Sequence, residues 1–242
     1  MGSVMPRART SKSKKMRTAK PDSLAATRAA PVVVDELAVT REGHVVSRLE
    51  LLDAGEAVIV ARGFARTTIE DNAQKAGVSL DVFHAHFAGK GALLRALNDR
   101  FVDQMIAAVD ASTATGSWST SRVHDVVEIA VRTILDVVEE RGGLVRAFLS
   151  HGATDRSLAE GLRKIGTHMT SKLVTALASC TDAKESPGTP RTVGFSLLLS
   201  VALAHHCVLV GEEWAGVGLT RAELTEELTT AISAYLAARR PS

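Results

Sequence analysis

The sequence predicts an all-α protein, with an N-terminal three-helix helix-turn-helix domain and a C-terminal helical domain. Apolar residues recur at helical spacing through most of the chain after residue 40, and the alternation typical of strands is hard to find there. Between Thr67 and Phe87, two short apolar patterns are separated by Gly77. Two short helices across a tight turn that contains glycine are typical of a helix-turn-helix, whose second helix can lie in a DNA major groove.

Length and composition are consistent with one or two globular domains. The chain has 242 residues, of which 45% are hydrophobic and 23% are charged. That is enough for a substantial core, and the frequent Ala, Leu, Glu and Arg favour helices. The two cysteines, Cys180 and Cys207, do not make a disulfide framework, so we expect a reduced, cytoplasmic protein.

Residues 1–40 are predicted to be a disordered basic tail. Residues 1–30 hold eight basic side chains and one acidic side chain, Asp22, so this segment carries about +7 while the whole chain carries +2. Few apolar residues precede Pro31, and such a segment cannot offset the entropy lost on ordering. The tail either adds phosphate contacts beside a DNA-binding domain or only keeps the chain soluble, and the sequence leaves both open.

Residues 41–89 are predicted to form the helix-turn-helix domain. Its first helix ends at Gly63, since a glycine just past the last periodic residue is a stop signal. The inner face of that helix is expected to carry Val45, Leu49, Leu52 and Ile59.

The two helices of the motif follow. Thr67 and Glu70 have the spacing of a capping box at the start of the second helix. Ser79 caps the third helix, whose Phe83 and Phe87 lie four residues apart and therefore point to the same side.

These residues closely resemble the DNA-binding domain of TetR-family transcriptional regulators. The resemblance rests on the run from Thr67 to Ser79 (TTIEDNAQKAGVS), on Phe83 to Phe87 (FHAHF), and on Lys90, Ala92 and Leu93. Many positions match at fixed spacing over roughly residues 44–95, which makes the signal more specific than one short motif. The resemblance implies that residues 90–242 form a helical body that binds a ligand and dimerises.

The resemblance assigns DNA contacts to residues around the motif, namely Thr67, Thr68, Ser79, Leu80, Asp81, Val82, His84 and Lys90. Thr67 and Thr68 would bind phosphate at a helix N-terminus, which attracts anions. Lys90 looks like the family's phosphate-binding lysine.

Several positions depart from the family's pattern. His84 replaces a usual tyrosine, Leu80 a common polar or basic residue, and Asp81 a frequent glycine. Leu80 and Val82 could touch thymine methyl groups, whereas Asp81 could either accept from a cytosine amine or repel nearby phosphates. Asn72 replaces a usual apolar residue and is expected to be partly exposed. His84 and His86 are two apart and point to different sides of a helix, so no metal site is expected.

The body is predicted to follow a long helix from Lys90 to about residue 109 and a loop at 112–121. Its five helices are expected at about 122–140, ended by Gly142-Gly143, and at 144–151, 155–179, 189–210 and 220–238. Residues 193–210 form a run of eighteen residues without a formal charge. A run of this length would suit a membrane span. The serines and histidines of this run, and the lack of a basic flank beyond Arg191, favour burial between two subunits instead. The resemblance implies a homodimer through the last two helices, about residues 190–238.

Six larger side chains on inward faces are candidate ligand-binding residues, namely Phe101, Met105, Phe148, His151, Met169 and Phe195. Ordinary core packing is the alternative for each of them. No acidic or basic cluster accompanies them, which favours an apolar ligand.

No catalytic or cofactor motif is present: the chain lacks G-x-S-x-G, H-E-x-x-H, C-x-x-C and a glycine-rich phosphate loop. The expected function is therefore that of a dimeric, ligand-responsive transcriptional regulator without cofactor or catalysis, a repressor released from a pseudo-palindromic operator. Two alternatives stay open: a non-sequence-specific DNA binder that relies on the basic tail, and an interaction protein with a degenerate DNA-binding head.

Overall fold

A computed structural model describes residues 38–39, 45–114, 118–184, 188–211, 213–214 and 217–239. Two antiparallel ladders of two-residue strands pair β1 (Ala38–Val39) with β2 (Val45–Val46), and β3 (Glu213–Trp214) with β4 (Val217–Gly218). The remaining elements in this part of the chain are helices joined by short loops and two 3-10 turns. The helices are α1 (Arg48–Arg62), α2 (Ile69–Ala76), α3 (Leu80–His86), α4 (Lys90–Ala114), α5 (Val123–Gly152), α6 (Arg156–Ala178), α7 (Pro190–Leu209) and α8 (Arg221–Ala238). The all-α prediction is confirmed. Of the predicted disordered tail, Ala38 and Val39 instead form β1, and residues 1–37 and 40 lie outside the described residues.

Local sequence sets both ends of α1. The Ser47 hydroxyl accepts a hydrogen bond from the Glu50 backbone N–H, and the Glu50 carboxylate accepts one from the Ser47 N–H at 2.8 Å. Gly63, with φ of 78°, ends the helix. The prediction that Leu49 faces inward is wrong. Residues 48–50 are all exposed, because the first turn of α1 extends beyond the core, and burial begins at Leu51.

Helix α5 consists of two helical segments that meet at a kink. Its helical segments 123–140 and 142–152 meet at Arg141, whose backbone is not helical (φ −126°, ψ 20°). The two helices predicted at 122–140 and 144–151 are therefore confirmed, with the break one residue before Gly142-Gly143. Gly143, just after the kink, also permits close packing. A Cβ at Gly143 would lie 3.1 Å from the Cα of Val60, so only glycine lets α5 approach the backbone of α1 this closely.

Helix α4 is longer than predicted, since it ends at Ala114 instead of residue 109. The hydroxyls of Ser112 and Thr113 donate to the carbonyl oxygen of Val109, so these polar residues bond within the helix and do not break it. Part of the predicted loop at 112–121 is therefore helical, and residues 118–120 form a 3-10 turn.

Two apolar cores divide the molecule. The first joins α1–α4 to the second half of α5 and the start of α6; its largest fully buried members are Phe83, Phe87, Phe148, Leu51, Ile59, Leu93, Leu97, Leu144 and Leu158. The second joins the first half of α5 to the end of α6, to α7 and to α8, and includes Val126, Val131, Leu177, Val193, Ile232 and Leu236. Helix α5 belongs to both cores and connects them physically.

Helix α7 passes through the body with an unusually apolar composition. By length and composition, it is the one helix in the described ranges that could cross a membrane. Its inner side buries Val193, Leu197 and Ala204 together with the polar Thr192, Ser196 and Ser200. The two serine hydroxyls donate to carbonyl oxygens one turn earlier in α7, which satisfies them inside the apolar body.

Candidate nucleic-acid interface

Helices α2 and α3 form the predicted helix-turn-helix. Gly77 ends α2 in the left-handed conformation, with φ of 71° and ψ of 24°, which glycine adopts without steric cost. The hydroxyl of Ser79 then accepts a hydrogen bond from the Val82 N–H at 3.3 Å and starts α3, as predicted. Phe83 and Phe87 are both buried in the first core. Local signals thus place α3 against the domain by one face and leave the other face outside.

The cap of α2 differs from the prediction by one residue. Thr68, not Thr67, is the N-cap: its hydroxyl accepts from the Asp71 N–H at 3.1 Å, and the Asp71 carboxylate accepts from the Thr68 N–H at 2.9 Å. Thr67 is only 2% exposed and donates its hydroxyl to the Gly63 carbonyl oxygen. The predicted pair of Thr67 and Glu70 is wrong, because the run Thr-Thr-x-Glu-Asp offers two capping boxes and the buried position of Thr67 selects the second.

Asn72 is buried, and the prediction of partial exposure is wrong. Its side chain is fully enclosed, and its Nδ2 donates to the Thr68 carbonyl oxygen at 2.6 Å. This hydrogen bond satisfies Nδ2, whereas Oδ1 is buried without a hydrogen-bond partner among the described residues, so the cost of burying the amide is only partly offset.

Two arginines that the sequence analysis did not single out lie beside the N-terminus of α2. Arg62 pairs with Asp71 at 2.6 Å, and Arg66 donates from Nε to the Arg62 carbonyl oxygen at 2.9 Å. The hydrogen bond from the Thr68 backbone lowers the pKa of the Asp71 carboxyl, and Arg62 lowers it further. Both arginines are exposed and can meet a phosphate. The sequence could have indicated these two arginines, because they lie on either side of the Gly63 turn, directly before the predicted helix-turn-helix.

The exposed face of α3 carries three of the residues predicted to contact DNA. Leu80 is 40% exposed, and Asp81 and His84 are exposed as well. Val82 and Ser79 are only partly exposed, and Val82 packs against the first core. The structure therefore brings Leu80, Asp81 and His84 together on the outside, with Thr68 exposed at the start of α2.

Lys90 begins α4 at the edge of the same domain. Its Nζ lies 3.3 Å from the Ala65 carbonyl oxygen and 4.3 Å from the centre of the Phe64 ring. The ring of His151, near the end of α5, meets Phe64 edge-on at 4.6 Å. The ammonium is thus held in place by the turn before α2, with two of its three N–H groups still available to an anion.

The six candidate ligand residues do not come together in one cavity of the described chain. Phe101 and Phe148 pack on each other at 5.5 Å inside the first core. Phe195 is half exposed on α7 against Tyr235. Met105 borders the first core, and Met169 borders the second. Whether any of them binds a ligand stays a prediction.

A different, narrow cavity lies in the second core between α5, α6, α7 and α8. It has about 30 Å³ of space that water could enter. Its lining is apolar apart from two serines and consists of Val126, Val127, Ala130, Val131, Ile134, Leu173, Leu177, Val193, Ser196, Leu197, Ser200, Ile232 and Leu236. This site could not be read from one helix at a time, because four separate helices contribute to it.

A polar cluster joins α1 to the kink of α5. The Glu56 carboxylate accepts hydrogen bonds from Arg141 at 2.6 Å and from Arg100. Arg141 also donates to Gln104 at 2.9 Å and lies over the Phe101 ring. These side chains come from α1, α4 and α5, so the DNA-binding domain is fixed to the long helix that lines the cavity.

Comparison with known proteins places this domain. Residues 51–97 match the model of bacterial regulatory proteins of the tetR family. The chain is 33% identical over 81 residues to the HTH-type transcriptional activator FasR of Mycolicibacterium smegmatis, covering 34% of this chain and 37% of that protein. It is 38% identical over 60 residues to the HTH-type transcriptional regulator TtgR of Pseudomonas putida, covering 25% and 29%. The matches thus span only about a third of these relatives.

Solved structures extend the likeness to the fold of the body. A tetR-family transcriptional regulator from Streptomyces coelicolor superposes with a TM-score of 0.63 at 18% identity, over 79% of this chain and 80% of that one. FadR from Bacillus subtilis, solved with stearoyl-CoA, superposes with a TM-score of 0.58 at 12% identity, over 77% and 98%. Residues 51–97 therefore match the tetR family of bacterial regulatory proteins, and the chain around them has the fold of solved TetR-family transcriptional regulators.

Proposed function

We propose that this cytoplasmic protein regulates transcription by binding a pseudo-palindromic operator as a homodimer, and that a small apolar molecule releases it. The observation that carries the proposal is the intact helix-turn-helix. Both of its helices are capped, the turn at Gly77 has the required conformation, and the outer face of α3 is exposed while Phe83 is buried. A helix presented in this way can enter a major groove.

Phosphate contacts would hold the domain on the duplex. Thr68 and Lys90 lie on either side of the Phe64–Arg66 turn, and the N-terminus of α2 adds a favourable field for an anion. Arg62 and Arg66 bring two more cations to this edge. Contacts of this kind position the protein but carry no sequence information.

A second copy of the chain would cover the outer face of α7. Five apolar side chains there are between 43% and 66% exposed: Phe195, Leu198, Leu199, Leu209 and Val210. Residues 193–210 contain no Asp, Glu, Lys or Arg, so this face has no charge to be desolvated. Its inner side packs on α5, α6 and α8, which makes α7 part of the folded body. A dimer through α7 and α8 would also supply the two-fold symmetry that a palindrome requires.

The effector would enter the cavity of the second core. About 30 Å³ is far below the roughly 300–1,000 Å³ of an ordinary ligand pocket, so binding must part the surrounding helices. The apolar lining suits a hydrocarbon chain, and FadR of Bacillus subtilis was solved with the acyl ligand stearoyl-CoA. Of the six candidate residues, Met169 packs against this core, and it is the one that we propose for the ligand.

Helix α5 would transmit the change to the DNA-binding domain. Its first half lines the cavity through Val126 and Ile134, and its second half packs on the domain through Leu144 and Phe148. A ligand that separates α5 from α7 would favour a different spacing between the two helix-turn-helix domains of the dimer, one from each chain. A state that binds the ligand better and the operator less well must lower DNA affinity by linkage.

Selection of DNA from a random pool by the purified full-length protein tests this function. An enriched inverted repeat, bound by two chains, is the expected result. A chain without residues 1–30 should retain the preference and show a weaker dependence on salt if the tail meets phosphates.

Two outcomes would contradict the proposal. Binding to all DNA that disappears with the tail would make the protein a non-specific binder. No enrichment and no binding at low salt would make it an interaction protein. A parallel selection with stearoyl-CoA present tests the ligand, since release from the enriched DNA is expected.

A further inference from the structure

The outer face of α3 has an unusual chemistry for a helix that enters a groove. It is apolar with one carboxylate and one imidazole, and its exposed residues are Leu80, Asp81, His84 and Ala85. The sequence has no lysine or arginine between Lys75 and Lys90. The commonest specific contact in DNA recognition, a lysine or arginine donating to the O6 and N7 atoms of guanine, is therefore not available on this helix.

Leu80 offers only methyl groups at the start of this face. Forty per cent of its surface is exposed, and the small side chain of Ala85 lets the helix approach the bases closely. In the major groove, the apolar group that such a side chain can cover is the C5 methyl of thymine. Contact between the Leu80 side chain and the thymine methyl group removes apolar surface of both from water.

Asp81 offers only acceptor atoms. Among the described residues its carboxylate takes part in no hydrogen bond and no ion pair, so no side chain in that part of the chain neutralises it. The major groove presents two amines, cytosine N4 and adenine N6. Adenine places its N7 acceptor beside the amine, which a carboxylate would repel, so the amine of cytosine is the better partner.

The same carboxylate also acts against other sequences. Near the phosphates, an unpaired negative charge is repelled by the duplex as a whole. A site that offers an amine to Asp81 offsets this repulsion, and a site without one does not. Asp81 thus increases the difference in binding free energy between the correct and the incorrect DNA sequence.

We infer that α3 reads thymine through Leu80 and cytosine through Asp81, so that each operator half-site is selected for these pyrimidines in the major groove. The inference rests on the proposed function, because it requires α3 to enter that groove. It concerns the side chains of the exposed face and names what they recognise.

The contact with thymine is tested by removing its methyl group. The operator enriched from the random pool is synthesised with deoxyuridine in place of each thymine in turn. At one position the wild-type protein should bind about fourfold more weakly, the effect expected for losing one buried methyl-sized group. Leu80→Ala should bind the normal operator more weakly and show no further loss with deoxyuridine there. An Ile129→Ala variant, which shortens an exposed side chain on α5, should respond like the wild type.

The contact with cytosine is tested with Asp81→Asn, since asparagine pairs with adenine. Repeating the selection with this variant should change one position of the half-site from cytosine to adenine, with at least about fivefold discrimination. Both substituted side chains are exposed, and the melting curve of each variant should match the wild type. The inference is overturned if deoxyuridine affects wild type and Leu80→Ala equally at every position, or if Asp81→Asn selects an unchanged sequence. If the wild type enriches no sequence, the proposed function itself fails.

Discussion

At the scale of single residues, the carboxylate of Asp71 both caps α2 and pairs with Arg62. Both contacts favour its charged form: the bond from the Thr68 backbone is the larger cause of its lowered pKa, and Arg62 adds to it. A carboxyl whose pKa is lowered by folding stabilises the native state above its unfolded pKa. That contribution is lost as the pH falls through the folded pKa.

We therefore expect Asp71→Asn to lower the melting temperature at about pH 7. Its difference from the wild type should shrink below about pH 4, where an aspartate in the unfolded chain becomes protonated. Glu70→Gln is the matched control, since Glu70 is exposed next to Asp71 in the same turn. Thermal unfolding followed by circular dichroism measures both. A gap that stays constant down to about pH 2 would contradict the assignment to charge.

Lys90 should act on affinity and not on sequence preference. Because it would meet a phosphate, Lys90→Ala is expected to weaken binding similarly across DNA sequences and to lower the salt slope by about one. Lys164→Ala, an exposed lysine on α6, is the control and should leave both unchanged. Fluorescence anisotropy at several salt concentrations measures this, and an unchanged slope for Lys90→Ala would refute the phosphate contact. Substitutions at Leu80 or His84 should instead alter the preferred sequence.

At the scale of elements, two glycines of α6 separate close packing from helix propensity. A Cβ at Gly161 would lie 2.3 Å from Nδ2 of Asn98 and 2.9 Å from Cγ2 of Val102, whereas a Cβ at Gly166 meets nothing within 4 Å. Asn98 and Val102 are both buried in α4, so neither side chain has room to move.

Gly161→Ala should therefore push α6 from α4 and destabilise the protein by about 1–3 kcal/mol. Gly166→Ala should stabilise it by up to about 1 kcal/mol, because alanine favours the helix. Unfolding by urea measures both. Equal effects of the two substitutions on the free energy of unfolding would show that α4 and α6 do not pack as closely at Gly161 as the structure has them.

The bridge between α1 and the kink of α5 makes a second prediction at this scale. Glu56 and Arg141 are each about four-fifths buried. Without Arg141, Glu56 keeps Arg100 as its ion-pair partner, whereas without Glu56 the Arg141 guanidinium keeps the uncharged Gln104, so each loss leaves a buried charge less well compensated. Glu56→Gln and Arg141→Gln should each destabilise the protein, and the double variant should cost less than their sum, with a coupling of about 0.5–3 kcal/mol. Urea unfolding of the four proteins gives this energy. Additive effects would show that the pair does not join the two elements.

At the scale of the whole molecule, the exposed face of α7 determines whether two chains associate. Leu198→Glu, at a position 64% exposed, places a charge in the proposed interface and should yield a monomer that binds the operator weakly. Leu49→Glu, at a position 57% exposed on α1, should leave the mass unchanged. Light scattering measures the mass. A monomeric wild type, or a dimeric Leu198→Glu variant, would contradict an interface through α7.

Much of the architecture is predictable from sequence because its causes lie close together in the chain. The caps at Ser79, Thr189 and Thr220 and the break at Gly77 each depend on residues within about one turn. The same holds for the exposed face of α3, which follows from the burial of Phe83 and Phe87 on the opposite side. The cavity and the Glu56 bridge escaped prediction, since they join helices that are far apart in sequence.

The sequence by itself determined the helical fold, the helix-turn-helix and the residues that point outward from it, because local hydrogen bonds and helical periodicity act over a few residues. Only the tertiary structure decided which of two adjacent threonines caps α2, since one of them is buried. It also decided how closely α5 approaches α1, because Gly143 lies against the backbone of Val60, more than eighty residues earlier. Where the local preferences of a sequence are nearly equal, contacts between distant residues select the structure.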